Sequence, residues 1–182
     1  MILSQNNKPQ MKIFLPENAT PSQKTASTEL KKYLDRISGG FFEVTTELTG
    51  PSLILTCKNQ GYDEAADFNR LGNDGFTLKT LGENLLIAGG CRGILYGVYE
   101  LLEKLGCRFF TPTCEKIPAL DLVELPSMDE TQVPILEHRD HWYRFYNDYP
   151  QFAVKSRING NYKGLDEKLG GHISYAWHVH SF

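Results

Sequence analysis

The sequence predicts an α+β fold in which two helices pack on one face of a mixed, mostly antiparallel sheet. Apolar, strand-like runs alternate with two amphipathic segments between residues 10 and 127, in the order strand, helix, several strands, helix, strands. The chain has 182 residues, of which 41% are hydrophobic, so it can bury a core without disulfides or metals. Beyond residue 127 the pattern weakens, and we expect a linker and the first segments of a second, truncated domain over residues 128–182.

The first strand and the first helix have clear local signals. Residues 11–15 form a short apolar run that Pro16 ends. Thr20 and Gln23 have the spacing of a capping box, and Pro21 stands at the first helical position. Gly39 predicts the end of the helix. Between these signals, apolar residues recur every three or four positions: Ala26, Leu30, Tyr33, Leu34 and Ile37.

The middle of the domain predicts strands. Residues 42–46 and 53–57 are β-branched or aromatic runs, separated by a Gly-Pro pair. Residues 76–80 and 85–88 read as a hairpin around a three-residue turn at 82–84. A short helix is expected over residues 63–71.

The second helix is predicted to follow Gly90 and to end at Gly106. Its apolar stripe consists of Leu95, Val98, Leu102 and Leu105. Two further strands are expected at residues 107–110 and 120–125, each followed by a proline. Turn-forming residues without a period at 126–134 place the domain boundary near residue 127.

Composition and charge exclude several classes of partner. Nineteen lysines and arginines against 22 aspartates and glutamates give a net charge of -3, so no basic surface for nucleic acid or an anionic membrane is expected. No apolar run approaches the roughly 20 residues of a membrane span. The first ten residues lack the pattern of a signal peptide, so the protein is either intracellular or has lost a leader. The four cysteines lack CxxC spacing and do not indicate a redox compartment.

Two motifs suggest a ligand, but a structural role is favoured for both. Residues 89–93, between a strand and a helix, could cradle a phosphate, yet they lack the dinucleotide and P-loop spacings. We expect these glycines to allow close helix–sheet packing. His172, His178 and His180 have a spacing that zinc can use, but no fourth ligand is identifiable, so no metal is predicted.

The tail after residue 137 is rich in aromatic side chains that suit a sugar. Ring faces stack on pyranose C–H surfaces, and arginine fixes hydroxyls or a carboxylate. The same side chains equally suit core residues whose partner elements are missing, and both interpretations stay open. The group consists of Arg139, Trp142, Tyr143, Arg144 and Tyr146. The carboxylates of the tail have ordinary surface density, so no catalytic pair, nucleophile or cofactor is predicted.

A motif at the second helix resembles a known module. Residues 92–112 read RGILYGVYELLEKLGCRFFTP. They resemble the N-terminal domain of alpha-glucuronidase-type glycoside hydrolases, which is related to the domain preceding the barrel in beta-N-acetylhexosaminidases. The resemblance extends over about residues 10–127. It implies a non-catalytic α+β accessory unit, with the catalytic carboxylates on a (β/α)8 barrel located downstream.

The resemblance also gives the tail an identity. Residues 134–139 are similar to the first barrel strand, which in hexosaminidase relatives ends in a sugar-binding arginine, here Arg139. Asp140 stands where those relatives have glycine. The resemblance places His172 near the active-site rim. With Trp142 from the aromatic group, these residues form the predicted substrate-binding set.

Three functions remain as hypotheses. The first is an N-terminal, non-catalytic part of a glycosidase that degrades uronic-acid or related polysaccharides and supports a downstream barrel. Such a parent protein is expected to be secreted or periplasmic, with a cytoplasmic location left open. The second is a free-standing carbohydrate-binding or interaction module, and the third is a metalloenzyme that uses the tail histidines. A severed piece of a barrel should be mobile or pack against a neighbouring chain.

Overall fold

The computed structural model describes residues 1–160 and 164–174. In chain order its strands are β1 (Ile2–Gln5), β2 (Lys8–Pro9), β3 (Lys12–Phe14), β4 (Val44–Thr45), β5 (Ser52–Thr56), β6 (Phe76–Leu81), β7 (Asn84–Gly89), β8 (Arg108–Thr111), β9 (Cys114–Lys116), β10 (Leu122–Glu124) and β11 (Asp129–Gln132). Its helices are α1 (Pro21–Ser38), α2 (Phe68–Leu71), α3 (Gly93–Lys104), α4 (Arg144–Asp148) and α5 (Pro150–Lys155), with a 3-10 turn at Glu167–Leu169. No helix in these ranges is both long and apolar enough to cross a membrane.

The central sheet has six strands in the spatial order β11, β6, β7, β5, β3, β4. The β4, β3, β5 and β7 strands run parallel, and β6 and β11 are added antiparallel. With the two smaller sheets, five of the eight pairings in the described part are antiparallel, although three of the five in the central sheet are parallel. The predicted α+β class with a mixed sheet is confirmed.

The ends of α1 match the sequence signals. The Thr20 hydroxyl accepts a hydrogen bond from the backbone N–H of Gln23 at 3.2 Å, and the Gln23 side chain accepts one from the backbone N–H of Thr20 at 2.9 Å. At the other end Gly39 has a φ of 70°, the left-handed conformation in which glycine is least strained. The capping box and the glycine stop are both confirmed.

Helices α1 and α3 pack together on one face of the central sheet, as predicted. The glycines before α3 make this possible. A Cβ on Gly90 would lie 2.0 Å from the carbonyl oxygen of Gly72, and one on Gly93 would lie 1.9 Å from that of Gly75. Both contacts are with the segment that leads into β6, so these glycines let the start of α3 approach the chain beside the sheet, in agreement with the packing interpretation of residues 89–93. The core between helices and sheet includes Ile13, Leu30, Leu34, Leu53, Leu55, Ile87, Leu95, Val98 and Leu102.

The opposite face of the sheet is covered by the short helix α2. Its Phe68 and Leu71 pack with Ile54 and Leu86 in a second, smaller core. The prediction placed a helix over residues 63–71, and only the last turn of that segment is helical.

Two hairpin turns differ from the sequence prediction. Strands β1 and β2, which were not predicted, are joined by Asn6 and Asn7, whose φ values of 51° and 61° are those of a type I′ turn. The hairpin of β6 and β7 turns through Gly82 and Glu83 alone, because Asn84 already pairs with the opposite strand. Asparagine tolerates the left-handed conformation, so the Asn6-Asn7 pair was the sequence signal from which the hairpin of β1 and β2 could have been predicted.

Strand β11 lies inside the segment that we expected to be a linker. It pairs with β6 at the sheet edge, where the Thr131 and Thr77 hydroxyls lie 2.9 Å apart in a hydrogen bond. Its four residues are polar, as is typical of edge strands, and this is why the hydrophobic pattern did not reveal it. The sheet therefore continues past residue 127 to Gln132.

The described part of the tail packs on its own domain. Ala153 and Val154 of α5, together with Ile158 and Leu165, are buried in the same core as α1 and α3. We expected a severed barrel segment to be mobile or to lie against a neighbouring chain, and the structure instead shows these residues covering the domain's own helices. The tail packs on its own domain because this removes four apolar side chains from water, which stabilises the packed arrangement.

Candidate functional site

A buried carboxylate joins segments that are distant in the sequence. Asp74, between α2 and β6, accepts hydrogen bonds from Nε (2.8 Å) and Nη2 (2.7 Å) of Arg92 at the start of α3. It also accepts hydrogen bonds from Nη2 of Arg139 at 2.7 Å and from Nδ2 of Asn159 at 3.1 Å. These four residues form what we name the Asp74 clamp, which holds the beginning of the tail on the domain.

The clamp is largely shielded from water. The side chains of Asp74, Arg92 and Arg139 are 13%, 6% and 17% exposed. Burial by itself raises the pKa of Asp74, but the hydrogen bonds from Arg92 and Arg139 outweigh it and hold that pKa below its usual value. The ionised carboxylate therefore compensates buried positive charge at neutral pH.

Arg139, a predicted sugar-binding residue, directs most of its donors into the protein. Its Nε donates to the carbonyl oxygen of Arg157 at 2.8 Å. Its Nη1 donates to the carbonyl oxygens of Leu136 (2.6 Å) and Glu137 (3.3 Å), and its Nη2 donates to Asp74. Four of its five N–H groups thus donate to protein acceptors, so Arg139 is largely committed to holding the tail.

A cleft of about 480 Å³ lies beside the clamp. Its walls include Asp74, Arg92, Arg139 and His172. The structure therefore brings together two of the three predicted substrate-binding residues, Arg139 and His172. Trp142 is 67% exposed and does not line this cleft.

His172 is an exposed residue near the end of the described tail. Its Nδ1 lies 3.4 Å from the carbonyl oxygen of Leu165. The other two histidines of the predicted metal spacing, His178 and His180, lie outside the described residues. Within the described ranges, no three His, Cys, Asp or Glu side chains are arranged to hold a metal ion, and the four cysteines are free.

A second set of polar contacts attaches α5 to α1. The Lys155 ammonium donates to the Tyr33 hydroxyl at 2.6 Å and lies 3.4 Å from the Glu115 carboxylate. Tyr33 and Arg36 each donate to that carboxylate at 2.7 Å. Burial raises the pKa of Glu115, but the hydrogen bonds from Tyr33 and Arg36 and the charge of Lys155 lower it to about 2. The ammonium also lies 4.7 Å from the centre of the Phe109 ring.

Arg157 makes a third attachment, to α3. It has a left-handed backbone, with a φ of 58°, and its Nη2 lies 3.0 Å from Glu100 and 3.1 Å from Glu103. The tail is therefore held through three cations, Arg139, Lys155 and Arg157, each bound to acidic groups of the domain.

Tail residues 141–145 form an exposed aromatic strip. The rings of His141 and Tyr143 stack 4.2 Å apart, and those of Tyr143 and Phe145 lie 5.7 Å apart and within 13° of parallel. Trp142 and Tyr143 are more than half exposed. This strip fits both interpretations that the sequence left open, a sugar-binding surface and a surface awaiting a further domain.

Sequence reasoning did not predict the acidic partners of the tail. Neither Asp74 nor Glu115 belongs to a local sequence motif. Arg92 gave a partial signal, because it precedes Gly93 at the start of an apolar helix, and an arginine that is buried at such a place requires a carboxylate. The partner itself lies 18 residues away.

Several solved structures have the same fold as this chain. A family GH115 4-O-methyl-alpha-glucuronidase with specificity for decorated arabinogalactans superposes with a TM-score of 0.70 and 16% identity, covering 94% of this chain and 29% of its own. An N-acetyl-beta-hexosaminidase of Streptomyces plicatus superposes with a TM-score of 0.56 and 17% identity, and the match covers 84% of this chain and 29% of that protein. A GH138 enzyme targeting pectin rhamnogalacturonan II superposes with a TM-score of 0.50 and 17% identity, and the match covers 84% of this chain and 24% of that protein. The chain spans less than a third of each of these proteins, and at such identities the likeness shows the fold alone. The fold is thus one that forms part of larger glycoside hydrolases.

The family is established by the sequence. Residues 3–101, more than half of the chain, match the model described as Glycosyl hydrolase family 67 N-terminus. The chain belongs to this family, as the resemblance at the second helix predicted. No curated protein sequence matches the chain.

Proposed function

We propose that this chain is the N-terminal part of a polysaccharide-degrading glycosidase, where it supports a downstream (β/α)8 catalytic domain and does not itself catalyse. The Asp74 clamp is the observation on which the proposal rests. Asp74 and Arg92 belong to the accessory domain, whereas Arg139 ends the segment that resembles a first barrel strand. One buried carboxylate therefore fixes the beginning of the proposed catalytic domain to the accessory domain.

The exposed apolar surface next to the clamp supports the same proposal. Ile135 is 99% exposed and Leu136 is 67% exposed, although the backbone carbonyl of Leu136 accepts a hydrogen bond from Arg139. Contiguous apolar side chains in water mark surfaces that another protein surface covers. A barrel that continues from this segment would bury them.

Expression of the chain alone and of the chain extended through its downstream reading frame tests the proposal. Both proteins are assayed on a panel of aryl glycosides and aldouronic oligosaccharides. We expect hydrolysis by the extended protein and none by the chain alone. Robust hydrolysis by the chain alone, or an extended frame that encodes no further domain, would overturn the proposal.

A second candidate function is a carbohydrate-binding module, and the stacked aromatic strip is the observation that favours it. Titration calorimetry with xylan and glucuronoxylan distinguishes the two. Saturable binding supports the module if it is lost in Trp142→Ala and kept in Phe41→Ala. Phe41 is the control because it is 85% exposed and lies outside the aromatic strip. Under the accessory-domain proposal, neither polysaccharide binds to the chain alone.

The oligosaccharide contacts and the location of the parent protein are also proposals. Arg139 and His172 line one cleft, which supports a role for both at the edge of a substrate site. Secretion or export to the periplasm, which we infer from the expected polymeric substrate, is tested by fractionating cells that produce the full-length protein.

A further inference from the structure

The Lys155 ammonium of α5 lies among three aromatic rings, which belong to α1, α3 and β8. Its nitrogen is 4.7 Å from the centre of the Phe109 ring, 5.1 Å from that of Tyr33 and 5.9 Å from that of Tyr99. Each distance is within the range of cation–π attraction, which is stronger where water is excluded. The Lys155 side chain is only 12% exposed, so the rings act on a largely desolvated cation.

Two oxygen atoms complete this cage around the ammonium. Nζ of Lys155 donates to the Tyr33 hydroxyl at 2.6 Å and lies 3.4 Å from Oε2 of Glu115. An ammonium has three N–H donors, and these oxygens accept two of them beside the rings. The pKa of Glu115 is held at about 2, so the carboxylate is ionised at neutral pH. The cage therefore combines the groups that recognise a primary ammonium.

The carboxylate of the cage keeps an oxygen for the ammonium. Arg36 donates to Oε1 of Glu115 at 2.7 Å, whereas the Tyr33 hydroxyl donates to Oε2 at 2.7 Å. A carboxylate oxygen accepts two hydrogen bonds, so Oε2 serves both the hydroxyl and a cation. Because Arg36 offsets part of the carboxylate charge, the rings supply a large share of the attraction.

The rings are held in place by contacts that do not involve Lys155. Tyr33 and Tyr99 each meet Phe109 edge to face, with ring centres 5.4 Å and 5.5 Å apart. The Tyr99 hydroxyl donates to the Glu29 carboxylate at 3.0 Å. Both tyrosine side chains are buried. The cage is therefore organised before an ammonium enters it.

A cavity of about 270 Å³ lies beside the cage and has Lys155 in its wall. Pro112 and Tyr149 also line it. Replacement of Lys155 by alanine removes three methylene groups and the ammonium, which are the atoms of n-propylammonium. The substitution leaves a space of that size, continuous with the cavity.

We propose that the domain carries a binding site for a primary alkylammonium, and that the Lys155 side chain is its intramolecular ligand. The rings of the cage and the free side of the Glu115 carboxylate form the site. The tail is attached here by recognition of its ammonium, beyond the general attraction of surface charges. The inference goes beyond the proposed function and does not depend on a downstream catalytic domain, since all groups of the site lie between Tyr33 and Glu115.

Chemical complementation of Lys155→Ala tests the proposal. Thermal unfolding of the full chain is followed by circular dichroism at constant ionic strength, with n-propylammonium or with 1-propanol, which has the same carbons and no charge. We expect the Tm of Lys155→Ala to fall by about 4–10 °C and saturating propylammonium to restore about half of this loss or more. Propanol should restore none of it, and propylammonium should not raise the Tm of the unmodified chain. An unchanged Tm in Lys155→Ala, no rise with propylammonium, or an equal rise with propanol overturns the proposal.

Lys155→Met keeps the proposal testable if the alanine variant does not fold, since it fills the space and removes only the charge. Hydrogen exchange of α5 should be at least about tenfold faster in this variant, the usual effect of losing hydrogen bonds to a charged group. Lys168→Met, at an exposed lysine of the tail, is the matched control and should leave α5 protected. Equal protection of α5 in Lys155→Met and in the unmodified chain contradicts the proposal.

A second substitution in Lys155→Ala tests the rings themselves. Phe109→Leu removes the nearest ring and keeps an apolar side chain, so propylammonium should bind about tenfold more weakly or not at all. Phe110→Leu changes the neighbouring ring, which is 60% exposed, and should leave the rescue intact. Equal rescue in the two double variants overturns the assignment of the site.

Discussion

Replacement of Asp74 by asparagine should destabilise the chain far more than replacement of an exposed aspartate. Asparagine has nearly the same shape but cannot neutralise Arg92, which is buried with 6% side-chain exposure, or Arg139, which is partly buried with 17%. Removal of one partner of a buried ion pair costs about 3–5 kcal/mol. Since 1 kcal/mol changes the Tm of a chain of this size by about 2–4 °C, we expect the Tm to fall by about 6–20 °C.

Thermal unfolding followed by circular dichroism measures this loss, and Asp129→Asn is the matched control. Asp129 pairs with Lys79 at the surface with 70% exposure, so its replacement should cost less than about 1 kcal/mol. Hydrogen exchange adds a local measurement. Protection in Asp74→Asn should fall most around Arg139 and Asn159, which the clamp holds in place. Equal Tm values for the two variants, or a loss of protection spread evenly over the central sheet, would refute the reasoning.

Three further predictions concern stability, and denaturant unfolding measures all of them. The pKa of Glu115 is held at about 2, so its ionised form contributes stability that is fully present above the pKa of an unfolded glutamate. This stability is lost as the pH falls through about 2. Glu115→Gln should therefore make the free energy of unfolding depend less on pH on the acid side. Gly93→Ala should cost about 1–3 kcal/mol, because its Cβ would meet a carbonyl oxygen at 1.9 Å, while Gly97→Ala, with a nearest contact of 3.2 Å, should cost less. Equal losses would contradict the packing role of the first glycine. Thr20→Ala should cost about 1 kcal/mol through the lost cap, and the exposed Thr28→Ala less than about 0.5 kcal/mol.

The elements that the sequence predicted are those with local signals. Helix α1 has its cap, its apolar spacing and its stop within 20 residues of one another, and each acts through neighbouring backbone groups. Helix α3 and the β6–β7 hairpin are similar cases. By contrast, β11 is four polar residues at a sheet edge, and only its pairing with β6 makes it a strand.

The candidate site was predictable only in part, because its contacts are long-range. The partners of Asp74 lie 18, 65 and 85 residues away along the chain. Spacing rules describe neighbours on one helix or strand, so they do not identify such a carboxylate. Arg139 was singled out with the aromatic group of the tail and again through the family resemblance, which also indicated His172. The structure adds that Arg139 donates most of its hydrogen bonds to the protein.

The three acidic anchors of the tail have a practical consequence for the design of chimeric proteins. Arg139, Lys155 and Arg157 each reach a carboxylate on a different part of the accessory domain. A body attached at three separate places cannot swing about any one of them, so the accessory domain dictates the orientation of the tail. A chimera that grafts a foreign N-terminal unit onto this tail must transplant counterparts of Asp74, Glu115 and the Glu100–Glu103 pair together with it.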